Sequence, residues 1–184
     1  MKLTARSTLA ETASVVGAAM RAAGIRGVLT GGGCASVQSG GIYTSRDLDF
    51  VLDGPTDQRA LDAALATVGY VRQDDRYLHP HCRFWLEFPP GPLGIGSDIA
   101  IEPAVITVEG RRILALSPTD ACRDRLAAFY HWDDRQSLET AIAIAKRHRV
   151  NQARIRAWSA REGAAGKYAE FVSALNATPG SRRR

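Results

Sequence analysis

Cysteine is scarce in this chain, and the little there is does not cluster. Three cysteines in 184 residues, Cys34, Cys82 and Cys122, are odd in number and widely scattered. No CxxC pair and no histidine-spaced cluster accompanies them. Such usage argues against a disulfide framework or structural zinc and fits reduced thiols in a cytoplasm. Long apolar runs are also missing, which excludes a membrane span. The N-terminus has no secretory apolar core followed by a cleavage site, a second expectation of a cytoplasmic protein without a membrane partner. Internal repeats and long disordered segments are absent. What is present is ordinary globular composition, 45% hydrophobic and 23% charged. That suits one domain with a small helical appendage, able to bury a core without staples. The net charge of +5 and pI near 9.4 suit a polyanionic partner such as a nucleotide or RNA, although proteins that bind neither often share them.

The stretch from Val28 to Leu52, VLTGGGCASVQSGGIYTSRDLDFVL, organises the rest. An apolar run enters the cluster Gly31-Gly32-Gly33, small residues follow, and Asp47-Leu48-Asp49 opens a second apolar run. The local reading is strand, glycine turn, short helix, linker, strand. Residues i and i+2 of a strand share a face, so Asp47 and Asp49 stand side by side while Leu48 and Phe50 point the other way. Adjacent carboxylates repel unless one takes a proton or a cation binds between them. Magnesium accepts one or two carboxylates together with substrate phosphates. Glycines admit phosphate close to backbone N–H groups, and a helix N-terminus adds a favourable dipole. Taken singly, a DxD is often a solvated strand end and a GGG often a flexible turn. Together, in this order and separated by residues 34–46, they are far more specific.

This pattern resembles the signature of the DNA polymerase beta-like nucleotidyltransferase superfamily. More narrowly, GGGCAS followed by TSRDLDF resembles the AbiE-type toxin branch, which includes the MenT-type toxins. Ser45 fits that branch's Ser/Thr position, whereas Tyr43 stands where arginine is usual. The resemblance implies an α+β architecture: a minimal nucleotidyltransferase fold, a small mixed sheet with flanking helices, plus a C-terminal helical subdomain. It places the catalytic core at 1–116 and the helical subdomain at 117–184. It implies magnesium or manganese on Asp47 and Asp49, an NTP substrate, and phosphates cradled by Gly32, Gly33 and Ser36. It further implies an RNA end, notably tRNA, as acceptor and a cognate antitoxin protein as partner. Other members of the superfamily modify aminoglycosides or protein side chains.

The superfamily also carries a third acid on a later strand, between apolar residues. Residues 70–88 read as a strand pair, YVRQ and RFWLEF, joined by a polar link containing Asp74 and Asp75. Glu87, between Leu86 and Phe88, is the choice for that acid, and Asp98 the competitor. A buried carboxylate needs a partner or a metal, so the bland alternative pairs Glu87 with Arg72 or Arg83 in an edge strand. His79 and His81 lack a further ligand and read as surface or packing residues.

Helices are expected over residues 4–23, with Thr4, Ser7 or Thr8 as caps, and over a segment marked by Leu61, Leu65 and Val68. The loop 89–98 precedes a hairpin over 104–116 that turns at Glu109-Gly110. Ser117-Pro118-Thr119-Asp120 is a helix start of capping-box type. In the helix it opens, Arg125 falls where the toxin branch has a phosphate-contacting lysine. Asp134, or Asp133, falls at the acid that follows. Arginine can bind phosphate in a fork but does not replace lysine in every role, and a solvated charged face is the alternative. The remainder reads as helices lined by Leu138 and Ile142, by Ile155 and Trp158, and by Tyr168 and Phe171, ending before Pro179-Gly180. Lys146, Arg147, His148, Arg149, Arg154, Arg156 and the tail Ser181-Arg182-Arg183-Arg184 form a basic region, either an RNA contact or a solvated surface. Rival functions are a nucleotide-binding module without turnover and an interaction protein that uses this basic end.

Overall fold

A computed structural model describes residues 2–99 and 101–177; the Pro179-Gly180 stop and the Ser181–Arg184 tail lie outside them. Helix α1, Leu9–Ala22, starts five residues later than the apolar pattern suggests. The reason is its cap. Thr8 Oγ1 accepts from the Glu11 amide at 3.1 Å, and Glu11 Oε2 accepts from the Thr8 amide at 2.7 Å. That reciprocal pair sets the start.

Strand β1, Gly27–Thr30, is buried along its whole length and runs straight into α2, Gly31–Ser39. The three glycines therefore form the first turn of the helix rather than a separate turn before it. Strand β2, Asp47–Leu52, returns antiparallel to β1. Helix α3, Gln58–Ala66, follows, capped by Asp57.

The segment 70–88 holds three strands where the sequence suggests two. β3, Val71–Gln73, and β4, Arg76–Leu78, form a tight hairpin through Asp74-Asp75, and β5, Trp85–Glu87, comes after it. A three-residue strand gives too short a pattern to stand out. The hairpin β6, Ala104–Val108, and β7, Arg111–Ala115, turns at Glu109-Gly110.

All seven strands make one mixed sheet in the order β3-β4-β5-β2-β1-β7-β6. The β2–β5 and β1–β7 pairs are parallel and the others antiparallel. Strand β5 thus lies inside the sheet, not at its edge. Helices α4, Pro118–Trp132, α5, Arg135–Arg147, α6, Gln152–Arg161, and α7, Ala165–Asn176, complete the α+β architecture. Helices α4 and α5 pack on α2. Among the described residues, no helix is long and apolar enough to cross a membrane.

Arg123 lies in a charged run of the sequence, yet it is fully buried. Its guanidinium donates to Asp120 Oδ1 at 2.8 Å and to Asp98, and it lies 4.9 Å from the Trp158 ring centroid. Arg154 and Arg161 hold the same two aspartates from α6, at 3.1 and 2.9 Å. This network, buried at Arg123 and Asp120, ties the 89–98 loop to the C-terminal helices. Removing one member of such a network leaves uncompensated charge behind. Arg123→Ala should therefore destabilise the protein by about 3 kcal/mol, at the low end for a buried pair because both aspartates keep a second arginine. Thermal unfolding should fall by about 6–12 °C; a change within a degree or two would contradict the account.

Candidate active site

The site is built on β2. Its alternation buries Leu48 and Phe50 completely and leaves Asp47 and Asp49 half-buried on the opposite face. The sheet register brings Asp49 opposite Thr30 on β1 and opposite Glu87 on β5. As a result, carboxylate oxygens of Asp47, Asp49 and Glu87 lie within 4.8 Å of one another. Among the described residues, this is the single group of three or more acids, histidines or cysteines so close together.

Two of the three carboxylates are held in place. Asp47 Oδ1 accepts from Ser45 Oγ at 2.6 Å, and Glu87 Oε1 accepts from Trp85 Nε1 at 2.8 Å. Asp49 is under electrostatic strain. Burial pushes its pKa up from 3.8 to about 6, and the charges of Asp47, Glu87 and Asp124 push the same way. Arg125 pulls in the other direction. A divalent cation would relieve this repulsion, and an all-oxygen, all-carboxylate donor set fits a hard ion such as magnesium or manganese.

Helix α2 begins beside these acids without a side-chain cap. Thr30 Oγ1 turns instead toward the Asp49 carbonyl at 3.4 Å. No acidic residue lies in the first turn, so the positive end of the helix keeps its capacity for an anion. The glycines make the approach possible. Gly31 has φ +58°, and a Cβ there would sit 2.6 Å from Asp49 Oδ2. At Gly33 a Cβ would come within 2.8 Å of Leu48 Cδ2 and 3.2 Å of the Asp47 carbonyl. Gly33 is therefore a packing contact with β2, while Gly32 is the more open of the two and faces Ser45 and Tyr43. Ser36 is buried one turn further along.

From the second sequence block, Arg125 arrives on α4. Its Nε and Nη2 donate to Asp124 Oδ2 at 3.1 and 2.7 Å, and its guanidinium lies 5.9 Å from the Tyr43 ring centroid. Asp124 was not legible as part of the site; in sequence it is one of two acids on a charged helix. Asp134 caps α5, accepting from the Gln136 and Ser137 amides and from Ser137 Oγ at 2.7 Å. Those bonds, led by the Ser137 hydroxyl, hold its carboxyl below the usual range, and Arg125 adds to the effect. Asp133 faces Lys167 at 3.1 Å.

Asp98 belongs to the Arg123–Arg161 network and not to the acidic cluster. Glu87 pairs in register with Arg76 of β4, and the expected alternatives Arg72 and Arg83 do not bond to it. His79 accepts from the His81 and Cys82 amides at 3.0 and 2.9 Å, a turn-forming role.

A folded-state pKa above the ordinary value means that the native protein holds the Asp49 proton more tightly than the unfolded chain does. The contribution of Asp49 to stability is therefore fully present below pH 3.8 and is lost as pH rises through about 6. Solvent screens part of the repulsion, and relieving it is worth about 1 kcal/mol, or about 2–4 °C in melting temperature. Asp49→Asn should melt higher than the parent by that amount near pH 7.5, and the gain should vanish near pH 4. Magnesium should raise the parent's melting point at the higher pH and the variant's much less. An equal gain at both pH values would refute the assignment of the strain to Asp49.

No protein-family model matches the sequence, and no curated protein matches it significantly. Solved structures do match. An antigenic nucleotidyltransferase-like protein from Paracoccidioides brasiliensis aligns over 95% of each chain with a TM-score of 0.61 and 17% identity. ANT(2")-Ia in complex with adenylyl-2"-tobramycin aligns over 92% of this chain and 97% of its own, with a TM-score of 0.50 and 16% identity. At such identities the likeness concerns the fold. The chain has a nucleotidyltransferase-like α+β fold, and within it Asp47, Asp49 and Glu87 form an acidic cluster suited to a divalent metal.

Proposed function

We propose that this protein is a divalent-metal-dependent nucleotidyltransferase that moves an NMP from an NTP to an acceptor hydroxyl. The observation that carries the reading is the convergence of three carboxylates within 4.8 Å next to the uncapped, glycine-built start of α2.

In this reading Asp47, Asp49 and Glu87 hold magnesium or manganese, which would neutralise charge on the triphosphate. Backbone amides at Gly32 and Gly33, with Ser36 behind them, cradle the phosphates. Arg125, fixed by its fork to Asp124, adds positive charge, and Asp134 borders the nucleotide. The acceptor oxygen forms a bond to the α-phosphorus as the α–β bridging P–O bond breaks, and pyrophosphate leaves. Glu87, one oxygen already fixed by Trp85, orients the acceptor hydroxyl and takes its proton on the other. Most of the rate enhancement then comes from positioning and charge neutralisation. Residues 1–116 supply the catalytic core, and the helices of 117–184 close one side of the cleft.

The toxin-branch resemblance and the net charge of +5 support an RNA end, notably a tRNA, as acceptor, with an antitoxin as the regulating partner. A small-molecule acceptor is the second reading, favoured by the likeness to a protein solved with adenylyl-2"-tobramycin. One experiment separates them: incubation with each labelled NTP and magnesium in the presence of total RNA or of tobramycin. Label is expected in RNA. Asp47→Ala or Asp49→Ala should lower transfer at least about a thousandfold, in line with loss of a metal ligand and its charge stabilisation. Arg125→Ala should lower it by about ten- to a hundredfold, with partial recovery in Arg125→Lys. Transfer that survives Asp49→Ala, or nucleotide binding without transfer to either acceptor, would overturn the enzymatic reading.

A further inference from the structure

Some arginines on this surface are engaged with carboxylates and others are not. Arg26, Arg72, Arg76, Arg125, Arg135, Arg154 and Arg161 all have acidic partners within 4.0 Å. Arg6, Arg83 and Arg147 do not: among the described residues, no carboxylate pairs with any of them. These three come from distant parts of the chain and line one cleft of about 590 Å³, in which Glu109 is the single acid. Three exposed cations facing a shared space repel one another unless an anion joins them. Room for Arg147 is made at the end of α2, where a Cβ on Gly40 would sit 2.7 Å from its Nη1. Its neighbour His148 is turned away, with Nε2 2.8 Å from the Gln38 carbonyl. Of the basic run 146–149, one residue has thus been placed in the cleft.

A smaller pocket of about 320 Å³ shares Thr44, Arg83 and Phe84 with this cleft and adds Ser45, Arg46 and Trp85. That pocket touches the acidic cluster, because Ser45 donates to Asp47 and Trp85 donates to Glu87. The half-exposed Trp85 ring also has the Arg76 guanidinium 5.6 Å from its centroid. From the acids outward, then, the order is an aromatic ring, Arg46 and Arg83, and finally Arg6 and Arg147.

We propose that this continuous path is a binding groove for single-stranded nucleic acid, with a base stacked at Trp85 and the phosphodiester backbone held by Arg83, Arg147 and Arg6. Aromatic platforms beside an arginine-lined groove are what single strands require. A cationic sugar such as an aminoglycoside would meet like charge along the same path. The inference deepens the nucleotidyl-transfer reading by stating where the acceptor strand leaves the acidic cluster. Its test measures strand binding and does not depend on transfer.

The test is fluorescence anisotropy of a short labelled single-stranded RNA, titrated with full-length protein in EDTA without NTP, over a range of salt. The Arg83→Gln/Arg147→Gln double variant should bind at least about tenfold more weakly. Its log K against log salt slope should be shallower by about 1.4, which is two phosphate contacts at about 0.7 each. Arg149→Gln/Arg156→Gln, outside both pockets, should stay within about twofold of the parent, the loss expected from general charge reduction alone. All four arginines are exposed, and circular dichroism should show both variants folded. Unchanged affinity and slope in the cleft variant would overturn the groove. So would an equal loss in the control variant, or tighter binding of duplex RNA or polyglutamate than of the single strand. Binding of a fluorescent NTP with magnesium, followed in parallel, reports on the transferase reading by itself: its absence would sink that reading and leave the groove result standing.

Discussion

Three negative charges confined to a space of a few ångströms are the constraint on which this molecule is arranged. Asp47, Asp49 and Glu87 would move apart if the backbone allowed it. It does not, since β2 lies between β1 and β5 and each acid is fixed by strand register. The hydrogen bonds to Asp47 and Glu87 come from Ser45 and Trp85, each two residues away on the same chain segment. Those bonds fix two of the acids in place, and Asp49, which has no such bond from a neighbouring side chain, feels the charges of both. Arg125 offsets only part of this repulsion, and the acidic cluster that remains is suited to a divalent cation.

Helix α2 answers the same constraint from the other side. Its N-terminus must come close to the acids if phosphates are to bridge helix and metal. Closeness of that order leaves no volume for side chains. The Cβ positions at Gly31 and Gly33 would fall on Asp49, Leu48 and the Asp47 backbone, so these glycines are set by β2 as much as by any ligand. That changes the meaning of the motif. Gly33 serves the packing of helix on strand.

Much of this was legible before any coordinates, and the reasons differ from residue to residue. The DxD alternation is a two-residue period, so the shared face of Asp47 and Asp49 follows from strand geometry alone. Glu87 was readable because a lone acid between apolar neighbours needs a reason. Strand β4 was not, because three residues between a tight turn and a loop carry no usable period. The start of α1 was misplaced because several residues could cap it, and the choice fell to the reciprocal Thr8–Glu11 pair. Asp98 competed for the third acid on sequence terms. Its removal came from contacts with Arg123 and Arg161, which lie 25 and 63 residues away, and no local pattern reports partners at that range.

Arg123 and Arg125 show the same limit more sharply. They are two residues apart on α4, so about 200° of helical rotation separates them. One points into the junction with α6, where two aspartates and the Trp158 face replace its water. The other points back across α2 toward Tyr43 and Asp49. In sequence both belong to one run of alternating charge. Three dimensions divide them into a buried cation that fastens the C-terminal helices and a half-buried cation that moderates the acids. The first supports the second: α4 can hold a guanidinium near the cluster because its opposite side is fastened by the buried Arg123 and its two aspartates. The helical end of the chain therefore bears on the acidic cluster through α4, whose Arg125 guanidinium is held by its fork to Asp124.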